Sequence, residues 1–292
     1  MVIIKIKSKD GCNPILLNLT SYSCKLLMNY VRENNIILDV NEKSIYNKYP
    51  LVEAVQYQNN ELVKLLINYA IENNIKLELN EGNNEGNYPL LYTVKNNVIG
   101  MMKLLIDYSE ENNIILKLNE RNIEGYYPLL LALIKREFEM TKLLFKYAKR
   151  NNIILELNKK NNHYYSPFEL ITENKDIFEI FKNYVRENNI IIKLNNKYND
   201  NLLLRVIDNN KVKSIERLID YVKEFNFKLK LNKKNKYGDY PWLCDVENNN
   251  EEMVNALMDY ANEINVILEL NKKNKDGNYP LLHGVKKTIK KW

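Results

Sequence analysis

Apolar residues along this chain come in short, evenly spaced bursts separated by polar stretches. One burst has the form Leu-Leu-x-x-Tyr. Its tyrosine returns at Tyr30, Tyr69, Tyr108, Tyr147, Tyr184, Tyr221 and Tyr260. A second, Leu-x-Leu-Asn, ends at Asn41, Asn80, Asn119, Asn158, Asn195, Asn232 and Asn271, with spacings of 39, 39, 39, 37, 37 and 39. A third, Tyr-Pro-Leu, begins at Tyr49, Tyr88, Tyr127 and Tyr279, with weaker copies at Ser166, Asn201 and Tyr240. Three markers advancing together mean a repeat, and a period between 20 and 50 residues means a stacked array.

The unit from Asn80 to Leu118 shows what each burst predicts. Asn80 to Asn87 is polar and holds Gly82 and Gly86, so it reads as an exposed turn. Gly86, Gly125, Gly238 and Gly277 share one slot, which Asn47 and Asn199 fill elsewhere. Gly and Asn enter φ > 0 most readily, so the slot calls for a left-handed residue. Pro89 suits the first position of a helix, where its missing N–H costs nothing. Leu90, Leu91 and Val94 line one face of that helix, and Asn96-Asn97 breaks it. Met101 to Tyr108 form a second helix that runs out at Asn112-Asn113. Ile114 to Asn119 then returns in extended form. Each helix has one apolar stripe, which only stacking on neighbours can bury.

The turn and helix-opening residues resemble the ankyrin repeat, in which Gly-x-Thr-Pro-Leu-His-x-Ala opens the first helix. Gly86-Asn-Tyr-Pro-Leu-Leu91 and Gly125-Tyr-Tyr-Pro-Leu-Leu130 stand in that place, and Ala54 and Ala132 take the motif alanine. Leu65-Leu66, Leu104-Leu105 and Leu143-Leu144 match the leucine pair of the second helix. The resemblance covers about residues 41 to 285. It implies an all-α solenoid of helix-turn-helix repeats with extended loops between them. The HEAT solenoid also has two helices in about 40 residues, but it has no use for the extended Leu-x-Leu-Asn return. The expected division is a cap or degenerate half-repeat over 1–40, then six repeats over 41–79, 80–118, 119–157, 158–194, 195–231 and 232–270. An incomplete repeat with a basic tail follows over 271–292. That tail either caps the array or marks an array continuing further.

Departures from the family pattern locate expected weak points. Tyrosine replaces the threonine, and leucine the histidine, that brace the family's turn, so tyrosine packing is expected to do part of that work. The unit is about six residues longer than the family's usual 33, and the excess is expected after the second helix. Glu169 occupies a leucine position, Leu202 replaces the proline, and Asp245 replaces the alanine, so a kink or local softness is expected across Pro167 to Leu203.

Composition narrows the function. Hydrophobic residues make up 45% and charged residues 27% of the 292, as in ordinary globular chains. Asparagine is extreme at 49 and tyrosine high at 21, while there are only 2 histidines. His163 and His283 stand about three repeats apart, too far to share a site. Cys12, Cys24 and Cys244 show no metal-ligand spacing and suit a reducing compartment, so a cytoplasmic setting is expected, with the nucleus open as well. No P-loop, nucleophile elbow or metalloprotease motif occurs, so neither an enzyme nor a cofactor or metal is expected. The net charge of +6 is mild and its signs are interspersed.

The resemblance implies a protein-interaction scaffold or adaptor that holds its partner on a concave face of loop tips and first helices. Aromatics that break the period are the candidate contacts: Tyr46, Tyr57, Tyr92, Tyr126, Tyr164, Tyr198 and Tyr237. Two other readings stay open. One is binding of an anionic surface or nucleic acid through Lys159-Lys160, Lys233-Lys234 and Lys286-Lys287. The other is a repeat array whose effector domain lies elsewhere.

Overall fold

The computed structural model describes residues 2–3, 15, 20–163, 165–192, 202–208, 212–234, 238–241, 250–275 and 277. Two units emerge, one of residues 1–156 with 160–165 and the other of residues 157–159 with 166–292.

The first unit opens with a two-residue strand, β1 (Val2–Ile3), paired in parallel with β2 (Ile36–Ile37). Between them runs α1 (Ser21–Glu33), started by the Thr20 side chain, which accepts from the Ser23 N–H. Three helix pairs follow. They are α2 (Pro50–Gln56) with α3 (Asn60–Glu72), α4 (Pro89–Lys95) with α5 (Ile99–Glu111), and α6 (Pro128–Ile134) with α7 (Phe138–Arg150). Proline holds the first position of every short helix in this unit. Short helix packs on short helix, and long on long, along the series. Leu51, Val55, Leu62, Leu66, Leu90, Val94, Met101, Leu105, Leu129 and Leu144 form the continuous core, each no more than 1% exposed. This is the collective burial that a single pair cannot achieve.

Paired asparagines end the long helices. The Asn73 side-chain amide donates to the Tyr69 carbonyl at 2.8 Å, and Asn74 then turns left-handed at φ 54°. The Ile75 N–H closes on Ala70 O and the Asn74 N–H on Ile71 O, which is a Schellman cap. The same sequence of bonds follows at Asn112-Asn113 and Asn151-Asn152. Neither residue needs glycine, because asparagine tolerates this region better than most side chains.

A separate asparagine series joins each repeat to the next. The Asn80 side chain donates to Ile115 O at 2.8 Å and accepts from the Lys117 N–H at 2.9 Å. Asn41 makes the equivalent pair with Lys76 O and Glu78 N, and Asn119 with Ile154 O and Glu156 N. The Leu-x-Leu-Asn marker is therefore a clamp on the next extended segment. Replacing Asn119 by Ala frees two backbone groups that water partly reaches. The expected loss is about 1 kcal/mol, read as a lower urea midpoint, and an unchanged midpoint rules the clamp out as a stabilising device.

The second unit contains α8 (Pro167–Ile171), α9 (Lys175–Glu187), α10 (Leu202–Asp208), α11 (Val212–Glu224) and α12 (Glu251–Glu263). Helix α8 has five residues where the other short helices have seven. Its core is aromatic. The Phe168 ring lies 4.9 Å from Tyr221 and 5.3 Å from Phe181, and Phe225 stacks on Tyr221 at 4.5 Å. The Asn clamp recurs here, with Asn232 holding Ile267 O and Glu269 N. Glu169, at its leucine position, is buried.

Candidate functional site

Each repeat of the first unit projects a finger ahead of its short helix, and the fingers are braced by asparagine. Asn83 Oδ1 accepts from the N–H groups of Glu85 and Asn87, both at 3.0 Å. Asn122 and Asn161 do the same in the next two fingers, while the Ser44 hydroxyl serves in the first. Asparagine thus carries bracing that tyrosine packing was expected to share. The Tyr-Pro tyrosine instead reaches forward, its phenol donating to the next finger: Tyr49 to Glu81 O at 2.9 Å and Tyr88 to Glu120 O at 3.1 Å. Burial pushes the Tyr88 and Tyr127 phenols well above the ordinary tyrosine range, so they stay neutral donors.

The tyrosine of the long helix is likewise more than packing. The buried Leu77 N–H donates to the Tyr108 phenol at 3.0 Å, and that phenol donates to Ile75 O at 3.3 Å. Tyr69 and Tyr147 receive Leu38 N and Leu116 N in the same way. Tyr30 departs from the series, being 59% exposed.

Neighbouring finger tips are bonded directly. Asn47 donates to Asn84 Oδ1 at 2.8 Å, the Ile123 N–H to Glu85 O at 3.0 Å, and Asn122 to Asn87 Oδ1 at 2.9 Å. The fourth tip joins through Asn162, whose side chain donates to Ile123 O at 3.0 Å. The left-handed slot is occupied as its residues require, with Asn47 at φ 55°, Gly86 at 75° and Gly125 at 81°. The tips therefore form a braced row, not separate loops.

On this row Tyr46 is exposed at the first tip, and Tyr57 is 61% exposed where α2 ends. Tyr126 is half-buried, its ring centroid 6.1 Å from that of His163. Tyr92 does not belong with them. It is 4% exposed, and its phenol accepts from the Asn83 amide at 3.0 Å, so finger and helix close over it. Tyr164, Tyr198 and Tyr237 lie outside the described residues, as do Cys12, Cys244, His283 and Lys286-Lys287. Exposed Ile45, Ile123 and Tyr165 also stand on the row, and the aromatic criterion passed over the two isoleucines. Their signal was available: an apolar residue in a polar turn.

The remaining chemistry is quiet. Cys24 is buried, and burial pushes its thiol up to about 11, which keeps it protonated and unreactive. Among the described residues no group of three or more His, Cys, Asp or Glu side chains is placed to hold a metal ion. None of the described helices is long and apolar enough to cross a membrane.

The family model of ankyrin repeats, in three copies, matches residues 51–156. The ankyrin repeat domain of Bcl-3, a member of the IkappaB protein family, superposes with a TM-score of 0.55 at 17% identity, covering 81% of this chain and 93% of that one. The human ASB11 ankyrin repeat domain does so with a TM-score of 0.52 at 16% identity, covering 80% and 90%. One chain of the complex between a predatory endopeptidase from Bdellovibrio bacteriovorus and an immunity protein gives 0.52 at 19% identity, covering 75% and 99%. No curated protein sequence matches the chain. Turn, proline-started helix, long helix and extended return thus identify an all-α ankyrin-repeat fold, and residues 51–156 belong to the ankyrin-repeat family.

Proposed function

We propose that this chain is a protein-interaction scaffold whose partner lies across the finger row and short-helix ends of the first unit. Ankyrin repeats are in general protein-interaction modules. The observation that carries the reading is the braced row itself. Ile45, Tyr46, Tyr57 and Ile123 stay exposed on backbone that is hydrogen-bonded from tip to tip. Apolar side chains held rigidly in water lose little entropy on binding, which suits them to anchor a partner. The array of six repeats over 41–270 and a cytoplasmic setting belong to the same reading.

The test is affinity capture from native lysate with Tyr46, Tyr57 and Tyr126 all replaced by alanine. Capture is expected to fall by about tenfold or more while the thermal melt stays unchanged. An Ile71→Ala variant, exposed on α3, is the control and is expected to capture normally. Full capture by the triple variant rejects the finger row. The lysine-loop reading has less support, since Lys234 already donates to Lys273 O and lies 4.7 Å over the Tyr240 ring. Capture lost to nuclease treatment or to added salt would favour it instead.

A further inference from the structure

The short-helix position facing the fingers changes character along the first unit. It is Glu53 in α2, Tyr92 in α4 and Leu131 in α6, and all three are buried. Tyr92 is satisfied by Asn83, and Leu131 needs no partner. Glu53 is only half satisfied. It is 5% exposed, and its Oε2 meets Lys48 Nζ at 3.3 Å, but its Oε1 is sealed from solvent and receives no hydrogen bond from the described residues. Gln56 stands three residues on, on the same side of α2, and its Oε1 is buried and without a donor in the same way.

Two acceptors one helical turn apart ask for donors. A buried acceptor without a donor pays its desolvation uncompensated, the more so when charged, so the pair is a costly feature unless a ligand completes it. Building on the finger-row reading, we propose that Glu53 and Gln56 receive the guanidinium of an arginine side chain presented by the protein partner. A guanidinium offers planar, diverging N–H groups that serve two acceptors together, which an ammonium does less well. Lys48 is the resident cation and is only loosely held. Its 3.3 Å separation exceeds the roughly 2.7–2.9 Å of a tight charge-assisted bond, and its side chain remains 35% exposed. An incoming cation displaces it at little net change in charge. Tyr57, one turn beyond Glu53 and exposed, offers a ring face to the same group. The first repeat then selects charge, while the third, with exposed Ile123 and half-buried Tyr126, presents an apolar surface.

The test is a titration of the full chain with N-acetyl-arginine amide, followed by amide NMR shifts. N-acetyl-citrulline amide, isosteric and neutral, is the comparison. Saturable shifts are expected at residues 48–57, with the arginine probe at least about fivefold tighter than citrulline. Glu53→Gln is expected to abolish that preference. Lys48→Met, which removes the competitor, is expected to tighten the arginine probe by about threefold or more. No saturable shift, equal binding of the two probes, or a preference surviving Glu53→Gln overturns the proposal, as does weaker binding to a folded Lys48→Met variant. If the arginine arms fail while the Tyr46/Tyr57/Tyr126 variant still loses its partner, only the Glu53 assignment falls. If both fail, the face itself is wrong.

Discussion

Gly86→Ala is expected to destabilise the first unit by about 2–4 kcal/mol. Two costs add. The residue sits at φ 75°, where an L side chain pays about 1–2 kcal/mol. A Cβ at this position also falls 2.9 Å from the Asn122 Cα and 3.4 Å from Arg121 O in the next finger. Those are backbone atoms, so the clash is relieved only by parting the two fingers. That parting would strain the Ile123 N–H to Glu85 O bond between the tips. Gly100→Ala supplies the opposite sign. Gly100 is exposed near the start of α5, and an alanine methyl there meets nothing within 4 Å, so alanine's helix propensity is expected to add about 0.5 kcal/mol. Urea denaturation of the two variants reads both. Equal midpoints would mean that the fingers are not in close register.

Tyr108→Phe is expected to cost about 2 kcal/mol. The ring and its packing stay, but the buried Leu77 N–H loses its acceptor and Ile75 O loses a donor. Tyr221→Phe is expected to go the other way and stabilise the second unit by about 1 kcal/mol. Tyr221 is fully buried, and its hydroxyl has no hydrogen-bond partner among the described residues. Removing that hydroxyl removes a desolvated group and leaves the Phe168, Phe181 and Phe225 contacts in place. The same atom deletion at two equivalent positions should therefore change sign. Thermal melts of both variants decide it, and a shared direction would show that the ring environment, not the phenol's partner, governs these sites.

The helices were legible because their punctuation is local. Pro50, Pro89 and Pro128 fix where the short helices begin, and Asn112-Asn113 fixes where a long one ends. The slot shared by Gly86, Gly125 and Asn47 announced its left-handed backbone for the same reason. The asparagine clamps were not legible as clamps. Asn80 reaches residues 35 and 37 positions away, and spacing along a chain does not say which carbonyl an amide will face. The role of Asn83 as the turn brace was not legible, because the resembling family braces this turn with a threonine and a histidine at other positions. The site was partly legible. Tyr46 and Tyr57 are exposed, as an interface reading requires, but Tyr92 is not. Breaking the period marked it as unusual without revealing that its phenol turns inward to Asn83. Glu53 gave no warning, since a glutamate in a short helix reads as a solvated residue until its burial is seen.

The clamps of the first unit have a direction. Asn41, Asn80 and Asn119 each grip the segment that follows, and Tyr69, Tyr108 and Tyr147 each grip the one before. No bond of either kind spans more than one step. Excising a whole 39-residue module between equivalent asparagines would thus sever one matched set and present identical groups to rejoin, so the protein is built to be shortened or lengthened by whole modules without redesigning the joints.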